Sequence, residues 1–352
     1  MNSFPRKNNF DHIRLFLALG VFLFHVGELT GIEDFHLLTN GTISAAVAVH
    51  SFFIVSGFLI FMSYDRSSSL KHYLMKRLRR IAPGYIAVIL LSFLFLSLLS
   101  TLPLQDYFFS HESAGFLFAN LTTLNFLHPT LPGVFETHRY TAVNGALWTI
   151  KVEVAFYLAI PLIAYFYRWI KPEKILAVIF VFSALYYFAM GYLYEQGHDP
   201  LFAILQRQLP AQMMFFSGGA LLYYMLERFR RHSTALLLVA ISVYILQNLV
   251  NTDLLYPLYA LSLSVIVIYL AVIFPYLGHI ARYGDLSYGI YIWHFPTVQT
   301  FISLHLFDTH PMLALLGLTS IVLLLAWLSW HLIEKPFLGK RSHYIKENEE
   351  SK

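Results

Sequence analysis

The chain contains no cysteine and few charged residues. None of its 352 residues is Cys, and only 12% are Asp, Glu, Lys or Arg. Without cysteine there is no disulfide, no thiol nucleophile and no thiolate metal site. A soluble protein of this length would carry about 25% charged residues, so the composition argues against a soluble fold. The net charge of +4 fits basic loops beside a membrane better than a nucleic-acid surface, and we expect no nucleic-acid partner.

Long apolar runs make up most of the chain. Hydrophobic residues account for 57% and aromatic residues for 17%. The runs are about 18–22 residues long, which is the length that crosses the hydrocarbon core of a bilayer. We therefore predict an all-α polytopic integral membrane protein with about ten transmembrane helices. Residues 1–340 would form a single transmembrane domain, in contact with membrane lipids, and residues 341–352 a short polar cytoplasmic tail.

The basic loops between the apolar runs give the orientation of the chain. Lys and Arg concentrate after the second and sixth runs, so by the positive-inside rule both termini are predicted to be cytoplasmic. Residues 113–127 are apolar but too short to span, and we expect one re-entrant or interfacial segment there. The predicted spans are about 11–29, 44–64, 83–103, 144–166, 175–194, 209–226, 234–250, 254–275, 285–306 and 311–332.

The first apolar run, residues 10–25 (FDHIRLFLALGVFLFH), carries two ionisable residues within a helix. Arg14 and His25 are eleven positions apart, so in a helix both lie on one face, about 16 Å apart along the axis. Ionisable groups in membrane helices usually face the bundle interior or a wet cavity. His25 is a candidate general base, because the unperturbed imidazole pKa is about 6.5. A buried histidine hydrogen-bonded to a neighbour is the alternative.

Glu153 lies in the middle of the fourth predicted span, where a carboxylate is costly unless it is paired. It could orient an imidazole by accepting its N–H, as the acid of a His–acid pair does. It could equally form a structural salt bridge with a lysine or arginine. Asn144 and Trp148 lie on the approach to Glu153 and could line the acceptor side of a pocket.

The basic run at residues 76–80 (KRLRR) is typical of a cytoplasmic loop, and this explanation is strong. Its second possible role is anion binding, because guanidinium groups at a helix entrance suit a phosphate-rich ligand. Arg77 and Arg80 would share one face if the segment is helical.

Three further features have structural explanations that we favour. Ser56 and Gly57 form a small pair in an apolar helix, which indicates close helix packing. His294 lies within a predicted span as a structural histidine, and Pro296 could open the helix beside it. Glu334 would end the last helix at the inner interface.

Six short motifs follow one another along the chain. They are Arg14 with His25, residues 52–58 (FFIVSGF), residues 77–80 (RLRR) followed by Pro83, residues 147–153 (LWTIKVE) with Phe156 and Tyr157, residues 287–294 (SYGIYIWH) and residues 333–336 (IEKP). Each motif alone is weak, but together and in this order they resemble the motifs of the membrane-bound acyltransferase 3 family, whose members acylate surface glycans and related acceptors. The resemblance covers nearly the whole chain.

The resemblance implies a surface-glycan O-acyltransferase, here its transmembrane domain only, in the bacterial inner (plasma) membrane. An acyl-CoA, most simply acetyl-CoA, would be the donor substrate, with no bound cofactor and no metal. Arg14, Arg77 and Arg80 would contact the CoA phosphates. His25 would take the proton of an acceptor hydroxyl on a surface carbohydrate or lipid-linked glycan, and Glu153 would orient or charge-stabilise His25.

Four residues would line the acceptor pocket, namely Asn144, Trp148, Ser56 and His294. Two other functions fit the same intramembrane residues. One is an acyl exporter that hands the acyl group to a separate transferase. The other is a proton-coupled transporter, for which ionisable residues inside the membrane are equally typical.

Overall fold

The computed structural model describes residues 7–35, 44–250 and 252–339. Within these ranges the regular structure is entirely helical, as predicted. The tail predicted at residues 341–352 lies outside the described residues. In chain order the helices are α1 (Phe10–Thr30), α2 (Ala45–Asp65), α3 (Leu70–Leu96), α4 (Leu104–Phe109), α5 (His111–Leu121), α6 (Trp148–Tyr165), α7 (Pro172–Gly197), α8 (Pro200–Leu205), α9 (Leu209–Tyr224), α10 (Leu226–Arg231), α11 (Ser233–Val250), α12 (Tyr256–Val272), α13 (Leu286–Ser303) and α14 (Pro311–Leu328).

Short turns of other helical types begin or extend several of these helices. Helices α7, α8, α9, α12 and α14 also carry a proline in the first turn, where its missing N–H has no intrahelical partner to lose. The last helix continues from α14 into a π-helical turn, Ser329–Glu334. The 3₁₀ turns are Gly145–Leu147, Phe166–Arg168, Asp253–Leu255, Ile280–Tyr283 and Lys335–Phe337.

Eight helical stretches of the described chain are long and apolar enough to cross a membrane, which makes this a multi-pass membrane protein. Two other predicted spans form α9 and α13. Every residue from 211 to 220 of α9 and from 287 to 299 of α13 is buried. A helix surrounded by protein can carry polar residues that a lipid-facing helix excludes. The eight stretches are Phe10–Thr30, Ala45–Asp65, Leu70–Leu96, Gly145–Arg168, Pro172–Gly197, Ser233–Val250, Asp253–Val272 and Pro311–Phe337.

Helix α3 begins at Leu70, well before the start predicted at Pro83. The basic run at residues 76–80 is therefore helical, and the prediction of a loop there was wrong. Lys and Arg are good helix formers, and the positive-inside rule reports sidedness and not secondary structure. Because α3 is continuous here, Arg77 and Arg80 share one face, one turn apart, as expected.

Helices α4 and α5 fold back along α3. The Tyr107 hydroxyl, in α4, donates to the Phe93 carbonyl at 2.7 Å. The Tyr85 hydroxyl donates to the carbonyl of Asn120, near the end of α5, also at 2.7 Å. Phe93 and Tyr85 are about 12 Å apart along α3, so the chain from α4 to the end of α5 runs antiparallel to α3 over that distance.

The chain then returns to the end of α3 from which it departed. The Thr101 N–H donates to the Gly133 carbonyl at 3.0 Å, and the Ser100 hydroxyl donates to the Pro132 carbonyl at 2.9 Å. The segment between them therefore enters and leaves at one end of α3. This arrangement agrees with the re-entrant or interfacial segment predicted near residues 113–127.

The chain divides into two compact units. The first comprises residues 1–13, 49–74 and 152–278, and the second comprises residues 14–48, 75–151 and 279–352. Each unit is assembled from segments far apart in the sequence. The single domain predicted over residues 1–340 stays a prediction.

Within the first unit, α2 and α9 approach each other closely at Gly57. A Cβ added to Gly57 would overlap the Phe216 carbonyl of α9, and one added to Gly219 would overlap the Ile54 carbonyl of α2. Each helix thus presents a glycine to the backbone of the other. The close packing favoured for Ser56 and Gly57 is confirmed at Gly57, and a pocket role for Ser56 stays a prediction.

Candidate active site

Two histidines meet in the second unit. Nδ1 of His25, on α1, lies 2.8 Å from Nε2 of His294, on α13, and the two rings are inclined by only 15°. Phe22 packs edge-on against His294, and Phe295 packs edge-on against His25. His294 is fully buried, whereas His25 is partly exposed. The pair therefore has one fully buried ring and one partly exposed ring.

A second hydrogen bond determines which nitrogen of His25 can accept a proton. Nδ1 of His294 lies 3.0 Å from the Ile290 carbonyl, which only accepts, so this nitrogen carries the hydrogen. In the neutral ring Nε2 of His294 is then the acceptor, and Nδ1 of His25 must be the donor. The proton-accepting nitrogen of His25 is consequently Nε2. This is the tautomer that a general base at the partly exposed ring requires.

Helix α13 keeps its geometry around His294 although Pro296 lies within it. Pro296 has no N–H, which deprives the Ile292 carbonyl of its helical donor. Nδ2 of Asn144 replaces that donor at 2.8 Å, and Oδ1 of Asn144 accepts the Ala146 N–H at 3.2 Å. The helix is therefore continuous, and the expectation that Pro296 opens it was wrong. Asn144 therefore links the segment just before α6 to the part of α13 that carries His294.

Trp148 and Thr149 follow at the start of α6, beside the same helix. The hydroxyl groups of Thr149 and Tyr291 are 2.6 Å apart, and both residues are buried. Trp148 is partly exposed and is covalently next to this anchored position. Whether Asn144, Trp148 and His294 line an acceptor pocket stays a prediction.

Glu153 belongs to the first unit. Its Oε1 accepts a hydrogen bond from the Tyr157 hydroxyl at 2.5 Å, one turn along α6. Nδ1 of His25 has Nε2 of His294 as a hydrogen-bond partner. An action of Glu153 on His25 stays a prediction.

A cluster of four charged residues surrounds the beginning of α13. Oδ2 of Asp285 pairs with Nη1 of Arg14 at 2.6 Å and with Nη2 of Arg80 at 2.5 Å. Oδ1 of Asp285 accepts the Ser287 N–H at 3.3 Å and the Ser287 hydroxyl at 2.6 Å. One oxygen therefore caps α13, and the other holds both arginines. Sequence analysis began a predicted span at Asp285 but gave this residue no role, although Asp is a preferred N-cap residue at a helix start.

Glu334 supplies the second carboxylate of this cluster. Its Oε2 pairs with Nη1 of Arg80 at 3.0 Å, and its Oε1 accepts the Ser329 hydroxyl at 2.9 Å. Both Ser329 and Glu334 lie in the π-helical turn, a feature that often marks functional sites. The Arg80 guanidinium also lies over the rings of Tyr288, at 5.3 Å, and Trp330, at 5.7 Å. Glu334 thus positions Arg80, which goes beyond the terminator role expected from its place in the sequence.

The cluster keeps its arginines partly accessible. The exposed side-chain fraction is 18% for Arg14 and 12% for Arg80, against 3% for Asp285 and 1% for Glu334. The two carboxylates are therefore more deeply buried than the arginine side chains that they hold. Arg77, one turn before Arg80 on α3, is partly exposed as well. Contact of these arginines with CoA phosphates stays a prediction.

Comparison with known proteins gives a family and several relatives. A family model described as an acyltransferase domain matches residues 7–331. An O-acetyl transferase of Shigella phage Sf6 is 29% identical over 345 residues, which is 96% of this chain and 98% of that protein. Nodulation protein 10 of Rhizobium leguminosarum bv. viciae is 28% identical over 366 residues, 98% of this chain and 96% of that protein.

A third relative is longer than this chain. The peptidoglycan O-acetyltransferase OatA of Listeria monocytogenes is 25% identical over 301 residues, which is 75% of this chain and 46% of that protein. No solved structure matches the chain.

Proposed function

Since the chain belongs to the acyltransferase 3 family, we propose that it transfers an acetyl group from cytosolic acetyl-CoA to a hydroxyl of a cell-surface glycan or glycolipid, with His25 as general base. The observation that carries this proposal is the hydrogen bond between His25 and His294, which leaves Nε2 of His25 as the proton acceptor. Two relatives are named as O-acetyl transferases, and peptidoglycan in one of those names favours a surface glycan acceptor.

The reaction needs one proton to move twice. The acceptor hydroxyl attacks the carbonyl carbon of the thioester while Nε2 of His25 takes its proton, and a new C–O bond forms. The C–S bond then breaks, and the imidazolium returns the proton to the CoA sulfur. While His25 is charged, its Nδ1–H still donates to the neutral His294, which keeps the ring oriented. Positioned proton transfer of this kind contributes about 10²–10⁴ in rate.

The arginines supply the donor end of the pathway. Arg14 and Arg80 are held by Asp285 and Glu334 before any ligand binds, so little side-chain freedom is lost when phosphates arrive. Arg77 adds a further guanidinium on the same face of α3 as Arg80. Arg14 and His25 are about 16 Å apart along α1, a distance that an extended pantetheine arm can cross. The acetyl group would then reach His25 while the phosphates stay with the arginines.

The orientation of the chain in the membrane determines from which side donor and acceptor would reach His25. The basic residues near Arg14 and Arg80 put that end of α1 in the cytoplasm by the positive-inside rule, and the plasma membrane is the compartment boundary where CoA is available on one face only. The acceptor would approach His25 from the opposite end of α1. A proton-coupled transporter is no longer favoured, because the family is one of acyltransferases.

Free CoA release by detergent-purified protein tests the proposal. Because the chain has no cysteine, a thiol reagent reports CoA without background from the protein. With acetyl-CoA and lipopolysaccharide or peptidoglycan fragments, the wild type should release CoA. His25→Ala should release about 10²–10⁴-fold less, and His305→Ala, at an exposed histidine, should match the wild type.

Three results would contradict parts of this scheme. Equal release by His25→Ala and the wild type would remove His25 from the mechanism. Release that begins only when a separate transferase is added would favour the acyl exporter. No release with any acceptor would overturn acetyl transfer from CoA.

A further inference from the structure

Helix α1 continues past His25 to a carboxylate. Glu28 lies three residues beyond His25, on the same face and about 4.5 Å further along the axis. Its Oε2 accepts a hydrogen bond from the Tyr140 hydroxyl at 3.2 Å. Arg14 lies in the other direction along α1. His25 therefore stands between the arginine cluster at one end and the Glu28–Tyr140 pair at the other.

The loop that carries Tyr140 is fixed by the helix that carries His294. Gln299 is fully buried on α13, and its Nε2 donates to the carbonyls of Tyr140, at 2.5 Å, and Ala142, at 3.1 Å. Its Oε1 accepts from Nδ1 of His138 at 2.8 Å. Every polar atom of this buried amide is thus used to hold the loop, which gives Tyr140 a defined position relative to His25.

The exposed groups at this end have the chemistry that recognises sugars. Tyr140 exposes 43% of its surface, and Glu28 is partly exposed. A carboxylate accepts charge-assisted hydrogen bonds from hydroxyl groups, and an aromatic ring offers an apolar face to the C–H groups of a pyranose. Arg139, also exposed, has its guanidinium 6.0 Å from the centre of the Tyr140 ring and adds hydrogen-bond donors beside it.

We propose that Glu28 and Tyr140 form the subsite that binds the acceptor glycan, one helical turn from the base. This inference rests on the proposed function, because it assumes that His25 deprotonates an acceptor hydroxyl. Glu28 accepts a hydrogen bond from a second hydroxyl of the same sugar, and the Tyr140 ring packs against its C–H face. The reactive hydroxyl then lies near Nε2 of His25, on the side away from the arginines.

The test separates acceptor binding from donor binding. Radiolabelled acetyl-CoA is supplied with three probes, namely lipopolysaccharide, peptidoglycan fragments and tetra-N-acetylchitotetraose. We expect Glu28→Gln and Tyr140→Ala to raise the acceptor KM about ten- to hundredfold, the loss expected of a hydrogen bond to a charged group. Their Kd for acetyl-CoA should stay within twofold of the wild type. Glu33→Gln, at an exposed carboxylate beyond the same helix end, should leave both constants unchanged.

Tyr140→Phe distinguishes recognition of a sugar by the Tyr140 ring from a purely structural role of the Tyr140–Glu28 hydrogen bond. It keeps the ring and loses the hydroxyl that bonds to Glu28, so the acceptor KM should rise by only a few-fold. Unchanged acceptor KM in Glu28→Gln and Tyr140→Ala would overturn the subsite. A loss of both thermal stability and acetyl-CoA affinity in Glu28→Gln and Tyr140→Ala would also overturn the subsite, because it would show that the Glu28–Tyr140 hydrogen bond only stabilises the fold. If the wild type labels none of the three probes, the proposed function fails, and the subsite with it.

Discussion

Nδ1 of His25 donates to Nε2 of His294 across 2.8 Å, so a fully buried histidine decides which nitrogen of a partly exposed one can accept a proton. The two residues lie 269 positions apart in the sequence. His294 is therefore a positioning residue in the proposed reaction. Its effect is separable from that of His25 by substitution.

His294→Phe should lower kcat about a hundredfold, near the lower end of the contribution of general base catalysis. The acetyl-CoA Kd should not change, because the arginine cluster is untouched. His294→Gln should recover part of the loss, since its Oε1 can accept the Nδ1–H of His25. Steady-state CoA release gives kcat, and equilibrium binding gives Kd. Equal kcat in the Phe and Gln variants would contradict a positioning role.

Asp285→Asn should destabilise the protein by about 3–5 kcal/mol, as expected when one partner of a buried ion pair is removed. The variant removes the carboxylate charge that both Arg14 and Arg80 contact. Chemical unfolding in detergent micelles measures the change. Asp308→Asn is the matched control, because its ion pair with His305 is exposed and should contribute at most about 1 kcal/mol. Similar losses in both variants would contradict the cluster's structural role.

Arg77→Ala should weaken acetyl-CoA binding, and the effect should shrink at high salt, where charge interactions are screened. The loss should also be smaller for a donor that lacks the 3′-phosphate, 3′-dephospho-acetyl-CoA, if Arg77 contacts that group. Lys71→Ala removes an exposed charge from the same helix and serves as the control. Isothermal titration at two salt concentrations gives both comparisons. An equal effect of the two substitutions would indicate that Arg77 contributes only to the overall positive potential of this region and does not contact the donor.

Gly57→Ala should destabilise the first unit by about 1–3 kcal/mol, the usual result of overpacking. The added methyl group would overlap the Phe216 carbonyl, which is backbone and cannot rotate away. Gly197→Ala is the comparison, since a Cβ there meets nothing within 4 Å. Thermal unfolding of the purified variants measures the difference. A Gly57→Ala protein as stable as Gly197→Ala would show that α2 and α9 can separate without cost.

Local sequence signals predicted the helices well and their partners poorly. The predicted first span, 11–29, differs from α1 by one residue at each end, because its apolar run has clear limits. The start of α3 was missed because basic residues that mark the membrane edge can also be helical. The partnership of His25 with His294 was missed because hydrogen bonds between distant segments depend on tertiary packing, which periodicity does not encode.

The prolines inside the helices also show that sequence does not reveal hydrogen-bond partners from distant segments. Pro296 leaves the Ile292 carbonyl without its helical donor, and the donor that replaces it is Asn144, 148 positions away. In the first unit, Pro161 similarly frees the Tyr157 carbonyl, which accepts the Tyr73 hydroxyl at 3.1 Å. A proline in a span therefore predicts an unsatisfied carbonyl, but only the fold tells which residue satisfies it.

In the proposed reaction, the division of labour between the two oxygens of Asp285 would let the donor bind without disturbing the helix that carries His294. If CoA phosphates bind Arg14 and Arg80 as proposed, they would compete with Oδ2 of Asp285 for the two guanidinium groups, while Oδ1 would continue to accept from Ser287. An arginine can thus exchange a carboxylate for a phosphate without unwinding the first turn of α13. His294 lies about two turns further along that helix. The base would therefore keep its orientation through each cycle of CoA arrival and departure.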